Sequence, residues 1–321
     1  MRTAVILTGA LRTITKTIRY LKQNVAFHED AHIFACVQND TQKSEEQWAA
    51  WISEHLGGRL KNLTWFSLDQ YPDWVKHRDR QLEHLLLAEN WKGYLRNSGS
   101  MIEYFQLQLA YMKMCYHEQL QGREYQYIVR ARTDSIYTKR VDFHWLNWTQ
   151  EEVAARVETI NKELIESKIE VTPTNTLRYF MNTVISDDLI PNIERIQAEY
   201  GPCPTEAAPP TDLYDYLRNG RYILTLRKNN LYVVQRSLFQ LIPSLGTMYG
   251  FMRSPHSDQY WFNAECLFRS ACFFSCVTIF DYGTEFEERS LEYANNWNEA
   301  TFFDLDFNPI NPEMLYCVVR R

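Results

Sequence analysis

Near its start the chain carries two short apolar runs, separated by one helix-length segment. Residues 3–8 read TAVILT and residues 32–37 read HIFACV. Each is a strand buried on both faces, because neither alternates apolar with polar residues. Gly9 and Ala10 form a tight exit from the first, and a helix is expected over residues 12–23. Two parallel strands joined this way need a helical crossover, and the crossover is right-handed. The chain is therefore constrained from its first forty residues to an α/β fold with an open, mostly parallel sheet flanked by helices.

The remaining pattern extends that fold. A polar helix is expected over 43–56, a third strand over 63–68, and wet, partly helical sequence over 70–98. A long helix follows over 100–121, with Ile102, Phe105, Leu109, Met112 and Tyr116 at helical spacing. Residues 127–133 form a strand ending at Asp134. Period two puts Ile128, Arg130, Arg132 and Asp134 on one face, and Val129, Ala131 and Thr133 on the other. Further on we expect helices over 149–166 and 188–199, a strand over 180–185, and a helix starting at Thr211. Strands are expected over 222–226, 231–234 and 273–280. After Arg236 the strand–helix rhythm stops and Phe, Tyr and Asn dominate. The chain thus divides into a ligand-binding domain over 1–236 and an aromatic-rich C-terminal extension over 237–321, packed on it.

Charge and cysteine usage narrow the function classes. With 34 Lys and Arg against 40 Asp and Glu, the net charge is −6. That excludes a generally basic surface and argues against nucleic acid as a partner. No stretch reaches the roughly 18–20 apolar residues of a membrane span, so no transmembrane segment is expected. The seven cysteines are odd in number and contain no C-x-x-C pair. Reduced thiols and a cytoplasmic location follow. Cys266, Cys272 and Cys276 match no zinc spacing and read as buried apolar thiols.

Chemistry is expected at the strand ends, where open α/β sheets hold ligands. Thr8-Gly9-Ala10 closes the first strand and Arg12 opens the helix behind it. A glycine lets a ligand approach the backbone, and an arginine beside a helix start suits a diphosphate. There is no G-x-G-x-x-G and no G-x-x-x-x-G-K-[ST], which excludes a dinucleotide fingerprint and a P-loop. The plain alternative makes Gly9 a turn and Arg12 a surface charge. Asp134, between Thr133 and Ser135, is placed to hold a hard divalent cation, with Arg130 and Arg132 near phosphates. The alternative there is a structural Arg–Asp network.

ILTGALRT, HIFACVQND and YQYIVRARTDSIY together resemble a family of GT-A-fold glycosyltransferases. These serve polysaccharide biosynthesis and include proteins of large algal (chlorella-type) viruses. The resemblance covers about residues 1–236. Gly9 to Arg12 matches the family's small-G-x-x-R element. Arg130, Arg132 and Asp134 match its R-x-R-x-D element, which stands in for D-x-D, although Arg132 occupies the place of the first Asp. The resemblance implies a nucleotide-sugar donor, UDP-linked by preference, a glycan acceptor, and Mn²⁺ or Mg²⁺ at Asp134. It implies that Thr8, Gly9, Arg12 and Asn39 surround the nucleotide, that Arg130 and Arg132 meet its phosphates, and that a viral member works in the host cytoplasm. Tyr104 and Tyr137 are candidates to stack on sugar faces. A general base for the acceptor hydroxyl is sought among Asp187 or Asp188, Glu206, Asp212 and Asp258. Two other readings stay open: a sugar-1-phosphate nucleotidyltransferase and a non-catalytic glycan-binding protein.

Overall fold

In the computed structural model the two opening runs pair as parallel neighbours, β1 (Thr3–Ala10) with β2 (Ala31–Gln38). The structure describes residues 2–26, 30–76, 79, 99–137, 148–183, 212–226, 231–243, 268, 272, 275–281 and 316–318. Between the two strands runs one helical stretch. A 3₁₀ turn (Leu11–Thr13) leads into α1 (Ile14–Tyr20), which ends in a π turn (Leu21–Val25). α2 (Glu45–Leu56) then leads to β3 (Leu60–Trp65). It starts at a capping box, in which the Ser44 hydroxyl accepts from the Gln47 amide and the Gln47 side chain accepts from the Ser44 amide.

α3 (Gly99–Gln121) carries the chain back to β4 (Tyr127–Arg132), which pairs with the other edge of β1. The remaining described elements are β5 (Ser135–Tyr137), α4 (Gln150–Glu166), α5 (Pro173–Thr183) and α6 (Leu213–Asn219), then β6 (Tyr222–Leu226), β7 (Leu231–Gln235) and α7 (Arg236–Phe239). β8 (Thr278–Asp281) and β9 (Tyr316–Val318) complete the set. The main sheet has seven strands in the order β3-β2-β1-β4-β7-β6-β8. Only β7 runs against the rest. This is the expected open, mostly parallel sheet flanked by helices, a GT-A-like architecture. From the stretch beyond residue 236, β8 joins the main sheet beside β6, and β9 pairs with β5.

Strand alternation decides which helix covers which face. Val5 and Leu7 point to α1, α2 and α4, packing with Ile14, Ile18, Trp48, Ile52 and Ile160. Ala4 and Ile6 point to α3, packing with Tyr104, Leu107, Ala110 and Met114. The α3 stripe therefore differs from the one read from the sequence: Met112 and Tyr116 are exposed, as is Leu120. α3 is apolar around much of its circumference. The stripe centred on small Ala110 faces the sheet, where a short side chain permits close approach.

Two other expectations are corrected. Residues 180–183 belong to a helix, not a strand. The Thr172 hydroxyl accepts from the Asn175 amide and Pro173 fills the first helical position, so α5 is set from its N-terminus. The strand expected from 273 starts only at Thr278, because the Val277 amide turns back to the Cys272 carbonyl and Cys276 has φ 53°. Cys276 is exposed, whereas Cys272 is buried. Among the described residues, no helix is long and apolar enough to cross a membrane.

At the N-terminal edge of the sheet, His32 Nδ1 lies 2.6 Å from the Tyr125 hydroxyl, with His117 edge-on and the Arg2 guanidinium over the Tyr125 ring. Burial, with Lys61, Arg2 and His117 nearby, pulls the His32 pKa down to about 4, against an opposing pull from Asp30. The folded state thus binds fewer protons than the unfolded chain between about pH 4 and pH 6.5. The neutral ring's contribution is complete above pH 6.5 and is lost as pH falls toward 4. Urea denaturation at pH 7.5 and 5.0 should show a loss of roughly 1–2 kcal/mol attributable to this part-exposed ring. A His32→Asn variant should show a flatter slope, and a slope equal to wild type would remove the assignment.

Candidate functional site

The sheet changes direction at β1. From β1 the chain winds to β2 and β3 on one side, then returns through α3 to place β4 on the other. The C-terminal ends of β1 and β4 are therefore the topological switch point, where this class of sheet opens a crevice for ligands. Register pairs Thr8 with Cys36 on one side and with Arg132 on the other.

The β1 and β4 exits are stitched together. The Thr133 amide donates to the Thr8 carbonyl at 3.0 Å, and its hydroxyl donates to the Ala10 carbonyl at 2.7 Å. The Thr17 hydroxyl on α1 donates to the Thr133 carbonyl. Gly9 makes this possible. It has φ +131°, and a Cβ there would lie 2.4 Å from Thr133 Oγ1.

On the α3 face of this point lies a four-membered charge cluster. Asp134 takes a two-pronged bond from Arg132, Nε to Oδ1 and Nη2 to Oδ2, both 2.7 Å. Arg132 Nη1 also reaches Glu103 Oε2 at 3.4 Å, and Arg130 Nη2 pairs with Glu103 Oε1. Arg130 is fully buried, while Arg132 is the most open of the four at 28% side-chain exposure. Burial pushes the Asp134 carboxyl upward, but the Arg132 and Arg130 guanidiniums outweigh it and hold the group below its ordinary value. Tyr137 supports the bend after β4, its hydroxyl accepting from the Arg132 amide at 3.0 Å. Thr8 Oγ1 is buried and has no hydrogen-bond partner among the described residues. Such a group invites a ligand or an ordered water.

Thr8, Gly9, Arg130, Arg132 and Asp134 thus lie together at the ends of β1 and β4. Glu103 was missed. Its signal is indirect: two arginines on a buried strand face require a carboxylate from the element packed on that face. Arg12 lies at the same end of the sheet, but it is tied to Asp40. Its amide donates to Oδ1 at 3.0 Å and its guanidinium reaches Oδ2 at 3.4 Å. The Asn39 side chain shapes its own loop, accepting from the Thr41 amide and hydroxyl and donating to the Lys43 carbonyl. Tyr104 and Tyr137 are buried, so neither ring offers a face to a sugar.

Asp212 is brought elsewhere. It caps α6, with Oδ1 accepting from the Tyr214 and Asp215 amides, so the helix begins at Leu213, two residues after the Thr211 expected to start it. It lines a depression of about 660 Å³ between α4, α5 and α6, with Val153, Val157, Asn161, Thr176 and Tyr214. None of the switch-point residues lines it. Asp187, Asp188, Glu206 and Asp258 lie outside the described residues. Among the described residues, no group of three or more His, Cys, Asp or Glu side chains forms a metal cluster.

Comparison with protein-family models finds no match, and comparison with curated protein sequences finds none either. Among solved structures, the chain is similar to the mannosyltransferase Ktr4p from S. cerevisiae in complex with GDP. That likeness has 17% identity and TM-score 0.27, and covers 46% of this chain and 38% of that one. A second structure of Ktr4p gives 16% identity, TM-score 0.26 and coverages of 46% and 36%. S. aureus TarS gives 12% identity, TM-score 0.23 and coverages of 50% and 20%. The chain thus spans less than two fifths of each of these proteins, and the family it belongs to rests on none of them.

Proposed function

We propose that this chain is a glycosyltransferase that moves a sugar from a nucleotide diphosphate sugar, UDP-linked by preference, to a glycan hydroxyl. One observation carries the reading. At the switch point, two arginines and a buried Thr8 hydroxyl with no hydrogen-bond partner among the described residues lie on one face of adjacent strands. A diphosphate suits both, by charge-assisted bonds to the guanidinium and by accepting from the hydroxyl.

In this reading Arg132, the more open guanidinium, meets the phosphates. Arg130 stays fixed on Glu103 and supplies positive field from beneath. Asp134, a hard carboxylate donor, is the residue that would hold Mg²⁺ or Mn²⁺, in place of the Arg132 that now takes both its oxygens. When bound there, such a cation neutralises the leaving diphosphate as a Lewis acid. If the reaction inverts configuration, a carboxylate must take the acceptor proton. Glu206 and Asp258 carry that proposal, since Asp212 caps a helix through Oδ1 and lines the separate depression.

The test is release of nucleoside diphosphate from a panel of UDP- and GDP-sugars, with and without Mn²⁺. We expect release from donors of one base, dependent on the cation. Release of pyrophosphate from a sugar-1-phosphate and nucleoside triphosphate would favour a nucleotidyltransferase instead. Binding without any release would point to a glycan-binding protein.

A further inference from the structure

We propose that the outer face of the C-terminal half of α3 docks the protein on an anionic lipid bilayer. A helix packed on a sheet normally turns a polar face to water. Here Met112, Tyr116 and Leu120, spaced four apart, share the outer face of α3 and are 59%, 60% and 64% exposed. Leu107, Ala110 and Met114, on the opposite side of the helix, are buried against the sheet. The outer row is therefore surplus to the core. It is about 12 Å long, and a contiguous row of large apolar groups in water marks a contact surface.

Charge selects the occupant. The chain carries a net −6, yet the ground beside this row is basic. Lys113 flanks the row one turn before Tyr116, and Arg123 follows the end of the helix; both are exposed. The Arg2 guanidinium sits over the Tyr125 ring and donates to the Arg123 carbonyl at 2.6 Å. Exposed Lys61 completes the patch. Burial lowers the pKa of both His32 and His117, and Lys61 and Arg2 lower both further, which places these two cations around the pair of rings. Among the described residues, the carboxylates beside these four cations are Asp30 and Glu124, because Glu118 is buried in its pair with Arg236. Asp69 and Asp73 belong to the other half of α3, where Tyr71 and Trp74 pack on Phe105. An anionic bilayer complements both features. Its acyl boundary takes Met112 and Leu120, the Tyr116 ring settles at the interface, and the lysine stems lie along the surface with their ammonium groups toward phosphates. A second copy of the chain would offer the same positive charge. The row sits on the half of α3 away from Glu103 and the crevice, so docking does not depend on what the crevice binds.

Co-sedimentation of the full chain with vesicles of phosphatidylcholine, alone or mixed with phosphatidylserine, tests this. Binding is expected to the mixed vesicles only, and should weaken as salt rises. Lys61→Gln/Lys113→Gln should lose roughly fivefold in vesicle affinity for each lysine, about 25-fold together. Met112→Ser/Tyr116→Ser/Leu120→Ser should lose about tenfold or more, because each large apolar side chain gains on leaving water. All five positions are exposed, so both variants should melt near wild type by circular dichroism. If the triple variant melts low, Tyr116→Ser alone serves and should show a smaller loss. Bilayer docking is overturned if wild type ignores the mixed vesicles, binds both kinds equally, or is matched in binding by the folded variants. It is equally overturned if the row pairs copies of the chain, seen by ultracentrifugation as a wild-type dimer that the triple variant makes monomeric.

Discussion

An Asp134→Asn variant is expected to lose about 10²–10³-fold in kcat on the nucleotide sugar. The substitution keeps the shape of the side chain and removes its charge. Arg132 then loses its two-pronged bond to Asp134, and a cation held as proposed would lose its anionic ligand at the strand end. Because Arg132 is part-exposed, it can turn to water, so the stability loss should be about 1–3 kcal/mol, below that for breaking a fully buried pair. The two effects separate cleanly. A folded variant with near-normal melting and wild-type turnover would contradict the role given to Asp134.

A Gly9→Ala variant should lose roughly 2–5 kcal/mol of stability. Part of this is backbone strain, since alanine is poorly tolerated at φ +131°. The rest is overpacking against Thr133 Oγ1, only 2.4 Å from the new methyl and already bonded to the Ala10 carbonyl. Such a loss is a large fraction of a typical domain's stability. The Gly9→Ala/Thr133→Ala double variant removes the clash and keeps the strain, so urea denaturation should show a destabilisation smaller than the sum of the singles. Additive effects, or a Gly9→Ala change below about 0.5 kcal/mol, would show that the β1–β4 exit tolerates a side chain.

Much of this site was legible because strands have a strict period. Alternation along YIVRARTD puts Arg130, Arg132 and Asp134 on one face, and the structure places that face under α3. Apolar runs flanking a helix likewise imply parallel strands, and a parallel β1–β2 pair resulted. The misses have distinct physical causes. A helix that is apolar around much of its surface does not reveal which stripe packs, so Met112 and Tyr116 were assigned a shared stripe and are exposed. The same ambiguity hid Glu103, whose importance depends on which side of α3 faces β4. Short apolar runs are equally open to helix or strand, which is why the strand expected over 180–185 misled although Thr172-Pro173 signals a helix start. Asn39 illustrates a third cause. Its polarity at a strand end is accounted for by the turn it closes with Thr41 and Lys43.

The central claim is that a nucleoside diphosphate binds where β1 and β4 end. Hydrogen–deuterium exchange of the full chain, with and without UDP and Mn²⁺, tests this most directly, because it reports where binding acts. The account predicts slowed exchange over residues 8–13 and 132–137. Protection confined to α4, α5 and the start of α6, around the separate depression that Asp212 lines, would contradict it.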